Sequence, residues 1–120
     1  MAYDQENFII PKGLSPLGKI GAKKIQKFAK KKGLHAGGCT TFYTPKGWEE
    51  HWGEPVGENV ELVVVYEGSD LGEYFSYDYA HPDYSTIEKM VKKLKKIGLY
   101  SEQITSWYSV VLIDNLYNKL

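Results

Sequence analysis

Two segments combine residue types that bind metals or act as nucleophiles. His35 and Cys39 are four residues apart, but a structural zinc site needs four ligands and no third ligand stands beside them. Asp78, His81 and Asp83 place an imidazole between two carboxylates, a set that can hold a divalent ion but is also common in solvated loops. We therefore expect neither a metal site nor a cofactor.

A third segment, Glu49-Glu50-His51, carries groups used in acid–base catalysis. Adjacent residues on a short helix point in different directions, so the three side chains would not converge on one substrate atom. The glycines form no phosphate-binding loop, because no G-x-x-x-x-G-K-[ST] motif occurs. Gly18 and Gly21 lie inside a predicted helix, where they indicate close packing. The sequence predicts a protein that is not an enzyme.

Aromatic and acidic residues are interleaved through residues 48–84, a stretch with ten acids and no lysine. Tyrosine and tryptophan anchor protein interfaces because they bury a large area at little entropic cost. Carboxylates around them would attract a basic macromolecule, most readily a protein. The predicted partner-binding residues are Trp48, Glu49, Glu50, Trp52, Asp70, Glu73, Tyr74, Tyr77, Asp78, Tyr79, Asp83 and Tyr84. The alternative is that the tyrosines fill one edge of the core while their acidic neighbours face water.

All 15 cations are lysines, and they are unevenly distributed. The segment between Lys46 and Lys89 contains eleven acids, whereas both ends of the chain are basic. A chain of zero net charge is thus predicted to have two faces of opposite potential. Twelve lysines lie on two predicted helices, which makes nucleic-acid binding the alternative function. The residues assigned to that role are Lys23, Lys27, Lys30, Lys31, Lys92, Lys93 and Lys96.

Aromatic residues are also expected on the sheet itself. Tyr43 and Tyr108 could lie on the open sheet face opposite the lysine-rich helices, where they would stack bases. The RNA-binding motif K/R-G-F/Y-G/A-F-V-x-F/Y is absent, however, and rings and lysines on opposite faces could not bind the same strand. A pocket for a nucleotide or another small molecule, between the long loop and the sheet, is the third alternative.

Two helices are predicted, each with its own start and stop signals. The first begins at the capping residue Ser15 and ends at Gly33, and the second begins with a capping box at residues 85–88 and ends at Gly98. A gapless offset of 65 residues aligns residues 25–44 with 90–109, including Gly33 with Gly98. We interpret the units 16–44 and 85–113 as an approximate internal duplication.

Apolar and aromatic runs predict strands at residues 7–10, 38–44, 60–67 and 104–113, with 99–103 as a separate strand or the start of the last one. This order describes a ferredoxin-like βαββαβ sandwich, an α+β fold with both helices on one face of an antiparallel sheet. Residues 45–55 should form a short helix or turn. Residues 68–84 are an acidic aromatic insert in a single domain spanning residues 1–120.

Composition limits the class of protein. No apolar run approaches the roughly 18 residues of a transmembrane helix, and the N-terminus lacks the pattern of a signal peptide. The single cysteine excludes an internal disulfide and indicates a reducing compartment. We therefore expect a cytoplasmic protein without membrane contact. Its size and its use of lysine alone suggest a phage or mobile-element factor, such as an inhibitor of a host nucleic-acid enzyme.

Overall fold

The computed structural model describes residues 8–78 and 84–114. Within these ranges the chain forms a four-stranded antiparallel sheet in the order β1-β2-β4-β3. The strands are β1 (Phe42–Tyr43), β2 (Val60–Val65), β3 (Leu99–Thr105) and β4 (Tyr108–Ile113). The helices are α1 (Pro16–Lys32), α2 (Pro45–Trp52), α3 (Gly72–Phe75) and α4 (Ser85–Lys95), and none of these is long and apolar enough to cross a membrane.

The predicted α+β class is confirmed, but the described elements do not follow the predicted βαββαβ order. Residues 8–10 form no strand; Phe8 is instead fully buried in the core, and its carbonyl accepts a hydrogen bond from Gln26 (Nε2–O 2.8 Å). Residues 99–105 form a separate strand, because the chain reverses at Ser106 and Trp107 and pairs β3 with β4 as a hairpin. Residue 7 lies outside the described part of the chain.

The predicted helix boundaries agree with the structure for α1 and only in part for α4. Ser15 caps the start of α1, and Gly33 ends it with a left-handed backbone (φ 66°). At α4, Tyr84 occupies the cap position with a left-handed backbone (φ 53°), so Ser85 is already the first helical residue. The predicted capping box, with Ser85 as the cap, is therefore wrong, since the cap residue is Tyr84 and it makes no side-chain capping hydrogen bond. Gly98, at φ 79°, turns the chain from α4 into β3.

The sheet separates two apolar clusters. On one face α1 and α4 cover the sheet, and the largest buried side chains there belong to Phe8, Ile25, Phe42, Leu62, Tyr66, Leu71, Met90, Leu94 and Leu99. On the other face α2 packs its Trp48 against Val60, Val63, Val65 and Val110. Both lysine-rich helices, which we call the lysine layer, therefore lie on one face of the sheet, and α2 lies on the opposite face.

Helix α1 approaches the sheet most closely at its two buried glycines. A Cβ atom at Gly18 would overlap the carbonyl oxygen of Glu61 in the stretch of β2 next to it. A Cβ atom at Gly21 would lie 2.8 Å from a methyl carbon of Leu99. The spacing of Gly18 and Gly21 thus serves helix-to-sheet packing, as the sequence indicates.

We expect Gly18→Ala to destabilise the protein, although alanine normally stabilises a helix interior by up to about 1 kcal/mol over glycine. The new methyl group would meet rigid backbone, so the expected loss is about 1–3 kcal/mol of unfolding free energy in urea titrations. Gly21→Ala is the matched control with a smaller loss, because the Leu99 side chain can move. A Gly18→Ala protein as stable as the parent would contradict this packing.

Candidate interaction surface

Helix α2 carries the tryptophans of the predicted partner-binding set. It starts at Thr44, whose hydroxyl accepts a hydrogen bond from the Gly47 N–H (2.8 Å), and ends at Gly53 with φ 77°. Trp48 points into the sheet and is 4% exposed, whereas Trp52, one turn later, is 49% exposed. One helix thus presents a buried anchor and an exposed ring side by side.

The exposed ring of Trp52 rests on other aromatic rings. Its centroid lies 5.4 Å from that of Trp48 and 5.7 Å from that of Trp107, while the Trp48 ring lies 4.6 Å from Tyr108 and 5.2 Å from Tyr43. All three tryptophans of the chain therefore belong to one group, which we call the tryptophan cluster. Its members are Tyr43, Trp48, His51, Trp52, Trp107 and Tyr108.

Acidic side chains lie on the helix that carries the tryptophan cluster. Glu49, Glu50 and Glu54 are exposed on and just after α2, and Lys46 is the only lysine of the helix. Burial, with the Glu54 carboxylate as the next cause, raises the pKa of the Tyr108 phenol above its ordinary value. The Glu54 carboxylate thus acts on one ring of the cluster, that of Tyr108.

The same face of the sheet continues as an exposed surface across β3. Tyr100 and Glu102 pair with Leu112 and Val110, which pack in the cluster under α2, so these side chains share that face. Tyr100 is 40% exposed, and Ile104, two residues beyond Glu102, is 45% exposed. Aromatic and apolar side chains with a carboxylate among them thus extend the surface towards the edge strand.

The long segment after β2 contributes to the core as well as to the surface. Tyr74 is nine-tenths buried, with its ring edge-on to Phe28 of α1 (4.9 Å between centroids). Burial, followed by the charges of Glu73 and Asp70, raises the pKa of its phenol. The Asp70 carboxylate accepts a hydrogen bond from the His35 N–H (2.7 Å), which joins two loops. Tyr74 is therefore core, and Glu73 is exposed.

Tyr77, Asp78 and Tyr84 lie apart from the tryptophan cluster. Tyr77 and Tyr84 are 57% and 43% exposed, and their ring centroids are 5.3 Å apart. Gln103 holds this segment: its carbonyl oxygen accepts from the Tyr77 N–H (2.8 Å), and its amide donates to Asp78 (2.9 Å). Along β3, Gln103 alternates with the exposed Glu102 and so faces the lysine-layer side. The predicted surface is thus divided between two places, and Tyr79, His81 and Asp83 lie outside the described residues.

A cavity of about 290 Å³ lies at the end of β2, lined by Tyr66, Gly68, Ser69, Asp70, Gly72 and Glu73. Among the described residues that line it, the ionisable side chains are carboxylates and a tyrosine, so this lining would repel the phosphates of a nucleotide. No tryptophan lines it. This cavity therefore gives no support to the nucleotide alternative.

His35 and Cys39 lie in the loop between α1 and β1. The Cys39 thiol points towards the carbonyls of Ala36 (3.4 Å) and Val65 (3.7 Å). Burial raises the pKa of this thiol, and the Glu67 carboxylate adds to the rise. A thiol with a raised pKa is a poor nucleophile at neutral pH. Within residues 8–78 and 84–114, no three His, Cys, Asp or Glu side chains are grouped to hold a metal ion.

Trp107 is the member of the site that the sequence does not reveal. It falls inside the last predicted strand, and only the reversal at Ser106 and Trp107 brings its ring to Trp52 of α2. The turn lacks the Asn-Gly or Asp-Gly pair that signals a tight hairpin. Tyr43 and Tyr108, in contrast, lie on the expected sheet face, but α2 covers that face, so the expectation of an open face is wrong.

No family model, curated protein or solved structure matches this chain. The function is therefore inferred from the structure alone, from the tryptophan cluster, its carboxylates and the lysine layer. Of these, the cluster combines a supported, half-exposed ring with a defined charge.

We expect the two tryptophans of α2 to differ sharply in their effect on stability. Trp48→Ala removes a buried ring from the cluster between α2 and the sheet and should cost about 3–5 kcal/mol of unfolding free energy. Trp52→Ala removes a half-exposed ring and should cost about 1 kcal/mol or less. Urea denaturation of both variants measures the difference. Equal losses would show that Trp52 is a packing residue rather than a surface one.

We expect Cys39 to alkylate slowly, because its raised pKa leaves little thiolate at pH 8. Reaction with iodoacetamide should be several-fold slower in the folded protein than in urea, and the single cysteine makes the signal unambiguous. Glu67→Gln removes a charge that raises the pKa and should increase the folded rate. A folded rate equal to that in urea would exclude this thiol environment.

Proposed function

We propose that this chain is a binding protein without catalytic activity, and that it engages a basic protein through the tryptophan surface. This surface consists of Trp52 and Trp107 with the carboxylates of Glu49, Glu50 and Glu54. The observation that carries the proposal is the half-exposed ring of Trp52, supported from below by the buried ring of Trp48.

Rigid support makes Trp52 suited to binding. A side chain that is already held by its neighbours loses little conformational freedom when a partner covers it, so most of the free energy of burial is retained. Tryptophan is also among the residues most enriched at the energetic centres of protein interfaces. A ring on a fixed aromatic base therefore supports a role as the central anchor.

The charge around the rings selects the kind of partner. Three exposed carboxylates close to the cluster would speed encounter with a positively charged surface and oppose a phosphate backbone. A lysine or arginine of the partner could also stack on the Trp52 ring as a cation–π contact. Enzymes that act on nucleic acids carry such basic surfaces, so the specific form of the proposal is a phage or mobile-element inhibitor of a host enzyme of this kind.

The tyrosines after α3 are not part of the proposed surface. Tyr77 meets the sheet from the lysine-layer side through Gln103, whereas Trp52 lies on the opposite face. Tyr77 is nonetheless as exposed as Trp52, with 57% of its surface accessible against 49%. It therefore provides a matched aromatic control in a different place.

We expect Trp52→Ala to abolish partner binding and Tyr77→Ala to leave it intact. The test is an affinity purification from a lysate of the source organism, treated with nuclease and washed at high salt, with the parent chain and both variants as baits. The expected result is one basic protein retained by the parent and by Tyr77→Ala and lost with Trp52→Ala. Retention by Trp52→Ala, loss on nuclease treatment or an acidic partner would each overturn the proposal.

The purified pair then allows a direct measurement, since all three tryptophans lie in the cluster and their emission reports on this surface. The triple variant Glu49→Gln, Glu50→Gln and Glu54→Gln should slow association and weaken its salt dependence, with a smaller effect on dissociation. A change confined to the dissociation rate would assign the carboxylates a contact role instead of a steering one.

A further inference from the structure

The lysine layer is a continuous and strongly positive surface. Helices α1 and α4 contain eleven lysines, Lys96 follows directly, and all twelve are exposed. Glu88 is the only acidic residue of the two helices. So many like charges on neighbouring helices repel one another, and an anionic partner would relieve that repulsion.

The two rows of lysines meet over one side chain. The ammonium of Lys93, from α4, lies 5.2 Å from the ring centroid of Phe28, and that of Lys32, from α1, lies 5.9 Å from it. Phe28 itself is 5% exposed and packs in the core. The ring thus holds cations from both helices together, and the rows form one surface instead of two.

At the other end of α1 the lysines enclose a concave site. A cavity of about 240 Å³ is lined by residues 10–14 together with Lys19 and Lys23, so that Lys12, Lys19 and Lys23 converge on it. None of the described residues that line it is acidic. A groove of about 320 Å³ continues along the helix past Ile20, Lys23, Lys24 and Lys27. A cavity of this size with three cations is suited to a phosphate group.

We infer that the lysine layer binds the phosphate backbone of a nucleic-acid duplex without regard to sequence, with Lys12, Lys19 and Lys23 around its deepest phosphate site. The absence of arginine removes the side chain that reads guanine with two hydrogen bonds. Lysine ammoniums neutralise phosphates as point charges, which gives affinity without base recognition.

Two other anionic partners fit the layer less well. Single strands are bound by stacking bases on exposed rings, but Phe28 and Tyr74, the rings beneath the lysines, are buried. The exposed rings on this side, Tyr77 and Tyr84, pack against each other at the start of α4, before its first lysine. Insertion into an anionic membrane needs an exposed apolar stripe, and on these two helices the exposed large apolar side chains are Ile20 and Val91. The apolar faces of both helices are occupied by the sheet.

This inference is independent of the proposed function, because the lysine layer and the tryptophan surface lie on opposite faces of the sheet. A duplex on one face leaves Trp52 accessible on the other. Failure of one assignment therefore leaves the other standing.

The test is fluorescence anisotropy with two labelled 20-base-pair DNA duplexes of unrelated sequence, measured between 50 and 200 mM salt. Both duplexes should bind with equal affinity that falls steeply with salt. Lys12→Gln, Lys19→Gln and Lys23→Gln combined should make the slope of log K against log salt shallower by about 2.7, since each phosphate contact contributes about 0.9. Over that salt range the parent would then lose about 40-fold more affinity than the variant.

Two controls accompany the measurement. The charge-conserving triple Lys12→Arg, Lys19→Arg and Lys23→Arg should keep the parent slope. The triple Glu49→Gln, Glu50→Gln and Glu54→Gln should not weaken duplex binding. The lysines and glutamates changed in these variants are all exposed, so thermal melts should match the parent.

Three results would overturn the inference. The first is no binding to either duplex at 50 mM salt. The second is an unchanged salt slope in the glutamine triple. The third is tighter binding to a labelled 20-nucleotide single strand, or to phosphatidylserine vesicles, than to the duplexes.

Discussion

Strand β2 is buried on both of its faces, and the two surfaces of the protein depend on this arrangement. Leu62 and Val64 face the lysine layer, while Val63 and Val65 face α2. Because the strand has apolar side chains in both directions, each face must be covered by a helix. The covering helices carry opposite charge, and β2 keeps them a sheet's thickness apart. A polar residue at Val63 would therefore disturb the packing of α2 more than that of the lysine layer.

The two surfaces differ in how their binding groups are distributed. The tryptophan cluster concentrates aromatic area on a short helix, so its binding energy depends on a few side chains around Trp52. The lysine layer distributes charge over two long helices, and no single lysine dominates it. An interface with a few anchors is sensitive to single substitutions, whereas a charged layer responds in proportion to the number of charges removed.

Much of the fold could be predicted from local signals, and the failures have identifiable causes. Ser15 and Gly33 delimit α1 because capping is a short-range effect, and the run of valines in β2 is unmistakable. The sequence did not decide whether β3 and β4 are separate strands, because Ser106-Trp107 is not a typical turn pair. Phe8 has strand-like neighbours, yet tertiary packing places it in the core. The internal duplication stays a prediction, although Gly33 and Gly98 both have positive φ.

The candidate site was predictable in kind but not in extent. Trp48 and Trp52 are recognisable as neighbours on one helix, whereas their contact with Trp107 depends on pairing between residues far apart in the chain. Tyr74 resembles Tyr77 in sequence context, and only the position of α3 against Phe28 decides that it is core. The charge of each face is easier to predict than individual side-chain contacts, because it depends only on which helix covers which face.

The lysines of α1 and α4 and the carboxylates of α2 lie on opposite faces of the sheet, which gives a molecule of zero net charge an electric dipole moment across the sheet. Near a polyanion such a dipole experiences a torque, which turns the lysine layer inwards and the carboxylates of α2 outwards before any contact forms. The orientation of the tryptophan surface relative to the polyanion is thereby fixed by the field, not by a linker or a second binding site. A basic protein already moving along that polyanion would meet the chain with its aromatic side foremost.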